Sequence, residues 1–353
     1  MKNTLRKLLF IPLSLALLTP TFAQDLAKTL EALVSENAKS YLGPVVTAFG
    51  TGANSGTFQR AKPHKILGFD VTFNVTPIMI PDNALEFDFF IPSDNIPVDI
   101  PIPGYGTETV TLPFDVLYSS KTVPTFFGSN EGVDIDVNES ATRTTIISSL
   151  TTSTGLDATQ IESLAGTEID DAIGDIPPLV SEIKGIDFPM FATIMPQFSV
   201  GLPLNLEVTF RGFKTEVEGN TFQLGGFGGK IGFSEFIPLF PVDLAAGWYA
   251  TNLNLADIVK GSNSIMTLQA SKSIPIITVY GGFGIESTNL EVSYDYTNPA
   301  DQSTDTIEFK MEGKNKSRVI AGLRLKLAVI TLNLDVNTGE YTAYNLGVGL
   351  TLR

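Results

Sequence analysis

The chain has 353 residues, 43% of them hydrophobic, a formal net charge of -15 and no cysteine. The missing cysteines exclude disulfides, thiolate metal sites, cysteine nucleophiles and acylation at cysteine. With 38 carboxylates against 23 bases, nucleic acid is excluded as a partner, because phosphate contacts need clustered Lys and Arg. The hydrophobic residues have no apolar helix to occupy. The long uncharged stretch 188–206 carries Pro196, Gly201 and Pro203 in its interior, so the hydrophobicity is spread through strands.

In chain order, Lys2, Arg6 and Lys7 precede an apolar run over 8–18. Pro20, Thr21 and Ala23 then suit a signal peptidase, which predicts a signal peptide over 1–23. The run is shorter than the roughly 20 residues a membrane helix needs. Cleavage after Ala23 removes three bases and takes the net charge from -15 to -18. Residues 25–42 place Leu26, Leu30 and Leu33 at helical spacing. Residues 48–61 are too rich in glycine for a regular element. Because Phe49 and Phe58 need burial, residues 24–62 are expected to plug a lumen. Phe49, Asn54, Phe58 and His64 are the candidate plug or ligand contacts.

From residue 63 onward the period is two. Strands are expected at 67–75, 85–91, 110–118, 190–200, 204–212, 227–233, 242–254, 263–272, 274–285, 288–297, 304–313, 318–327, 330–337 and 344–352. In the last, Tyr344, Leu346, Val348, Leu350 and Leu352 alternate with Asn345, Gly347, Gly349 and Thr351. Such apolar and small-polar alternation marks a barrel with lipid outside and polar groups within. The fold class is therefore all-β: a transmembrane antiparallel β-barrel of about 14 strands over 63–353, behind a short helical N-terminal plug. Residues 119–189 form its long acidic extracellular loop, in which Asp157 is placed to cap a helix reaching about residue 165. Arg324 and Lys326 are expected to point into the lumen beside Asp335 and Glu308, since a charge facing lipid is costly.

Enzyme chemistry has little to stand on. His64 is the sole histidine and has no serine partner in view, so no catalytic residue is assigned. One histidine and no cysteine do not make a zinc site, and the glycines of 224–230 fit no phosphate-binding fingerprint. Neither a cofactor nor a metal is expected.

The segments Tyr41-Leu-Gly-Pro, Phe49-Gly-Thr-Gly-Ala-Asn-Ser-Gly-Thr-Phe and Ala61-Lys-Pro-His-Lys-Ile-Leu-Gly-Phe-Asp70 resemble an uncharacterised family of outer-membrane β-barrel proteins from Bacteroidetes and related bacteria. More distantly, fourteen strands behind an N-terminal hatch are similar to the long-chain fatty-acid transporter family, through architecture and without shared ligand residues. The resemblance implies the bacterial outer membrane, with its lipid and the barrel-assembly machinery as partners, although the chain ends Leu352-Arg353 where many such barrels end in Phe. The function it implies is passive uptake of a small hydrophobic compound. The alternative is a non-transport surface anchor or secretion-system partner barrel, with the acidic loop as docking surface.

Overall fold

The computed structural model describes residues 35–217, 220–234, 237, 241–255, 259–297 and 304–352. The expected signal peptide and the part of the expected plug before residue 35 lie outside them. The described residues divide into two compact units, one holding those of 42–82 and 189–352, the other those of 35–41 and 83–188.

The helix α1 (Ser35–Ala53) contains Gly43, Pro44, Gly50 and Gly52, so propensity does not explain it. Close packing does. A Cβ on Gly52 would sit 2.5 Å from the Thr193 methyl, and one on Gly50 would collide with Thr288. Thr47, Thr51 and Ser55 hydroxyls each donate back to the carbonyl four residues earlier. Part of the stretch expected to be irregular, 48–53, is thus helical, and its glycines serve proximity. Strand β1 (Phe69–Met79) follows.

The second unit is a small α/β module. It contains β2 (Glu86–Asp88), β3 (Asn95–Ile102), β4 (Gly106–Pro113), α2 (Phe114–Leu117), β5 (Thr122–Pro124), β6 (Val133–Ile135), α3 (Glu139–Thr154), α4 (Ala158–Gly174) and β7 (Val180–Ile183). β3 and β4 form a hairpin, and β2 pairs with β5 and β6 with β7. Asp157 caps α4 through a reciprocal box with Gln160. The helix then runs to Gly174, burying Ile161, Ala165, Ile169 and Ile173 at intervals of four. Asn37 exchanges two 2.8 Å hydrogen bonds with the Phe90 backbone, and the Tyr41 hydroxyl donates to the Lys184 carbonyl. Burial pushes that phenol up to about 12. Two corrections follow. The runs at 85–91 and 110–118 are not barrel wall, because they find their partners inside this module. Residues 119–189 are not a loop, because they carry three strands and two long helices.

The wall resumes with β8 (Met190–Leu202), β9 (Leu206–Val217), β10 (Asn220–Gly232), β11 (Asp243–Leu255), β12 (Val259–Ile274), β13 (Ile277–Thr297), β14 (Thr304–Glu312), β15 (Ser317–Leu327), β16 (Ile330–Thr338) and β17 (Thr342–Leu352). Among the described residues the ring runs β1-β8-β9-β10-β11-β12-β13-β15-β16-β17 and closes where β17 meets β1, all antiparallel. That is ten strands and not fourteen. Two expected strands belong to the module. Residues 274–285 and 288–297 are halves of one 21-residue strand, β13. β14 and β15 share its flank, β15 beside 277–285 and β14 beside 289–297, so β14 extends the ring without adding a place in it. The architectural similarity to fatty-acid transporters loses its fourteen strands with this count.

Alternation orients the wall. On β17, Leu346, Val348, Leu350 and Leu352 are exposed, whereas Asn345 and Thr351 are buried. β13 starts the same way, with Val279, Phe283 and Ile285 exposed and Tyr280 and Glu286 buried. Above Ile285 the side chains keep their faces and exchange chemistry. Ser287 and Asn289 are exposed and Glu291 half-buried, while Leu290 and Val292 are buried. β14 continues that second pattern, with Phe309 and Met311 buried and Glu308 exposed. Among the described residues, the wall from β11 to β14 is apolar outside toward the short turns and polar outside at the other end.

Candidate functional site

The inward faces of the strands converge on residues 42–64, which are buried along nearly their whole length. At the polar-outside end the contact is apolar. A Cβ on Gly261 would lie 3.3 Å from both the Phe49 ring and the Leu290 side chain.

Midway, two wall arginines meet the end of α1. Arg318 on β15 donates to the Thr51 carbonyl at 3.0 Å and the Ser55 hydroxyl at 2.8 Å, and ion-pairs with Glu286 on β13 at 2.6 Å. Arg211 on β9 donates to the Ser55 carbonyl at 2.7 Å. β9 and β15 stand five places apart in a ring of ten, so the two guanidiniums approach from opposite walls. The last turn of α1 has no basic residue of its own. The wall supplies the cations that complement its negative dipole end and its unpaired carbonyls.

Nearer the short turns lies a second charge cluster. His64 places Nδ1 2.7 Å from Glu207, and Nε2 3.2 Å from Asp70 and 3.3 Å from the Thr351 hydroxyl. Arg324 grips Asp70 with both amino groups at 2.9 and 3.0 Å. Lys230 contacts Glu207 at 3.0 Å and donates to the Arg60 carbonyl at 2.7 Å. Each ring nitrogen of His64 thus faces a carboxylate oxygen, and Nε2 faces the Thr351 hydroxyl as well.

Of the residues singled out in the sequence, Phe49, Asn54, Phe58, His64, Arg324 and Asp335 are buried in this interior. Asn54 reaches toward the Ser264 carbonyl at 3.5 Å, and Phe58 packs edge-on against Tyr280 with centroids 5.8 Å apart. Asp335 accepts from Tyr280, Asn337 and Asn345, not from Arg324, whose partner is Asp70. Lys326 and Glu308 are exposed and are corrected as lumen charges. Lys326 lies at the end of β15, where a charge reaches water without crossing the wall. Glu308 is on β14, whose outer face is polar. Sequence reading missed Asp70, Glu207, Arg211, Lys230, Glu286 and Arg318. Each sits on the polar phase of an alternating strand, and that isolation between outward-phase residues is the signal that could have found them.

Fold and interior together define a closed antiparallel barrel with its apolar band outside and its ion pairs inside, tied to its own N-terminal segment. The sequence matches the family of unknown function DUF6588 over residues 1–352, and the chain belongs to that family. No curated protein matches it. Among solved structures it is similar to the attachment invasion locus protein Ail of Yersinia pestis, with 9% identity over 42% of this chain and 96% of that one, at a TM-score of 0.22. The N-terminal β-barrel domain of Pseudomonas aeruginosa OprF gives 18% identity over the same shares at 0.21. Salmonella typhi OmpF in complex with daunomycin gives 8% over 81% of this chain and 97% of that one at 0.16. At these scores the likenesses add nothing to the barrel that the strand pairings define.

Proposed function

We propose that the protein is a bacterial outer-membrane barrel, sealed by residues 42–64 as a built-in plug, whose work is to hold the acidic module of residues 83–188 at the membrane surface. The observation that carries this reading is the pair of buried arginines gripping the end of α1 from opposite walls. Moving the plug would strand Arg211 and the Arg318–Glu286 pair without the carbonyls they now meet. Hydrogen bonds of this kind to a charged group are worth about 1.5–3 kcal/mol each. The plug is therefore a fixed filler and not a gate.

The other reading, uptake of a small hydrophobic compound, asks for an apolar path past the plug. In support of the anchor, the inward faces of β16 and β17 carry Asn333, Asp335, Asn337 and Asn345. The Asn333 amide is buried with no protein partner for either end among the described residues. Such a surface repels an apolar solute. An enzyme reading has no support in the His64 cluster. The apolar outer band supports a lipid surround for the barrel.

Planar-bilayer recording tests the seal. The intact protein is expected to be nearly silent, and deletion of residues 24–62 to open a conducting pore. Proteolysis of intact cells tests the display: cleavage within 83–188 is expected while the barrel persists. A wild-type protein that conducts like an open porin, or a module protected until cells are lysed, would overturn the proposal.

A further inference from the structure

The outer surface of the short-turn end is apolar to its tips. Leu204 is 84% exposed and Leu67 71%, and both hold left-handed backbone, at φ 63° and 60°. Ile276 and Val329, in the turns before β13 and β16, are exposed as well. Left-handed turn positions are ordinarily filled by Gly or Asn, so the side chains gain something that water does not give. These tips are continuous with the outward band of Phe283, Val279 and Ile277. The bases Lys62, Lys65, Lys272 and Lys326 are exposed at the same end. Among the described residues the carboxylate exposed beside them is Asp243, one-quarter exposed and 4.0 Å from Lys62.

The height of the band fits this picture. From Ile277 to Ile285 is eight residue steps, about 20 Å along the barrel axis at the usual rise and tilt. A lipid-facing band is about 25 Å tall. The missing height is supplied by the turns and not by the other end, where Ser287 already faces outward.

Building on the membrane reading above, we propose that the bilayer embraces only the short-turn part of the barrel. Its turn tips sink into the interface of an anionic phospholipid leaflet, the lysines meet lipid phosphates, and the wall beyond Ala250, Ser264 and Ser287 stands clear in water. Lysine stems lie along apolar surface while their heads reach the phosphates. The occupant of the tips is lipid, not a periplasmic protein or a second copy.

The chain has no cysteine, so single reporters can be placed at will. Leu204→Cys, Ile276→Cys, Phe283→Cys, Asn252→Cys and Ser287→Cys would each carry an environment-sensitive fluorophore. They are reconstituted in vesicles of phosphatidylcholine with phosphatidylglycerol and challenged with doxyl-labelled lipid or aqueous iodide. Reporters at 204, 276 and 283 are expected to be quenched by lipid and spared by iodide, and those at 252 and 287 the reverse. Omitting phosphatidylglycerol is expected to weaken lipid quenching at 204 and 276 alone, and no change there would overturn the lysine assignment. Iodide quenching of the tips would overturn the immersion. Tips shielded from both quenchers would show a protein covering them and overturn it too. Loss of lipid quenching at 283 as well would reject the membrane reading itself, a result distinct from a misplaced boundary.

Discussion

The barrel and the inserted module solve burial in opposite ways. Residues 83–188 carry eighteen carboxylates and three bases, which accounts for the whole net charge of -15, and the rest of the chain holds twenty of each. In the module the charges face out and Ile146, Leu150, Ile161 and Ile169 are fully buried. Even its tightest charge contacts, Arg143 with Glu162 and Asp170, leave the carboxylates about half exposed or more. In the barrel, Arg318, Glu286, Asp70 and Glu207 are buried and Leu346, Val348 and Leu350 are exposed. The same residue types thus carry different energetic weight on the two sides of one chain. A module charge is screened by water, whereas a barrel charge depends on its partner.

That contrast can be broken, and the largest effect should come from Arg318→Ala. It leaves Glu286 buried without its cation and is expected to cost about 3–5 kcal/mol, read from urea titrations of folding into vesicles with the sole tryptophan, Trp248, as reporter. Replacing Arg318 and Glu286 together by Met and Leu should recover most of the loss. A single mutant within 1 kcal/mol of wild type would contradict the plug's grip. Next is Val348→Arg, expected to cost about 2–4 kcal/mol near the bilayer midplane. Thr152→Arg, exposed on α3, should stay within about 0.5 kcal/mol. Equal tolerance at the two sites would erase the distinction between wall and module. Asp157→Ala removes the α4 cap and should cost about 1 kcal/mol. Faster amide exchange is expected in α4 and not in the wall strands. Smallest is a salt effect. Screening is strong at about 0.1 M, so raising salt to that level should firm the self-repelling module while the balanced barrel stays indifferent.

The closing hairpins of the barrel are legible in sequence because one alternating phase runs through β15, β16 and β17 without a break. β13 is not legible in the same way. Its outward positions pass from Ile285 to Ser287 and its inward positions from Glu286 to Leu290, so the pattern slips by one residue where the surroundings change. A slip of that kind reads as the gap between two strands. The runs at 85–91 and 110–118 mislead for another reason: alternation reports one buried face, and a small module provides one as readily as a barrel wall does. At the interior site, Phe49, Phe58 and His64 were visible as residues in need of burial. Their partners were not, because Glu207, Arg211 and Arg318 lie 143 or more residues away from them or from their plug contacts, and only ring closure brings them together. No local pattern encodes that meeting.

One rung of the wall bears on how such a chain arose and how it can be rebuilt. Met79, the last residue of β1, is paired with Met190, the first of β8. The barrel leaves off and resumes at neighbouring positions, as the two arms of an ordinary hairpin would, and everything between them is a passenger. Insertions succeed where the two attachment points already lie side by side. A tight turn grafted between these methionines should give a bare ten-stranded ring, and another folded domain with adjacent termini should ride on the same host.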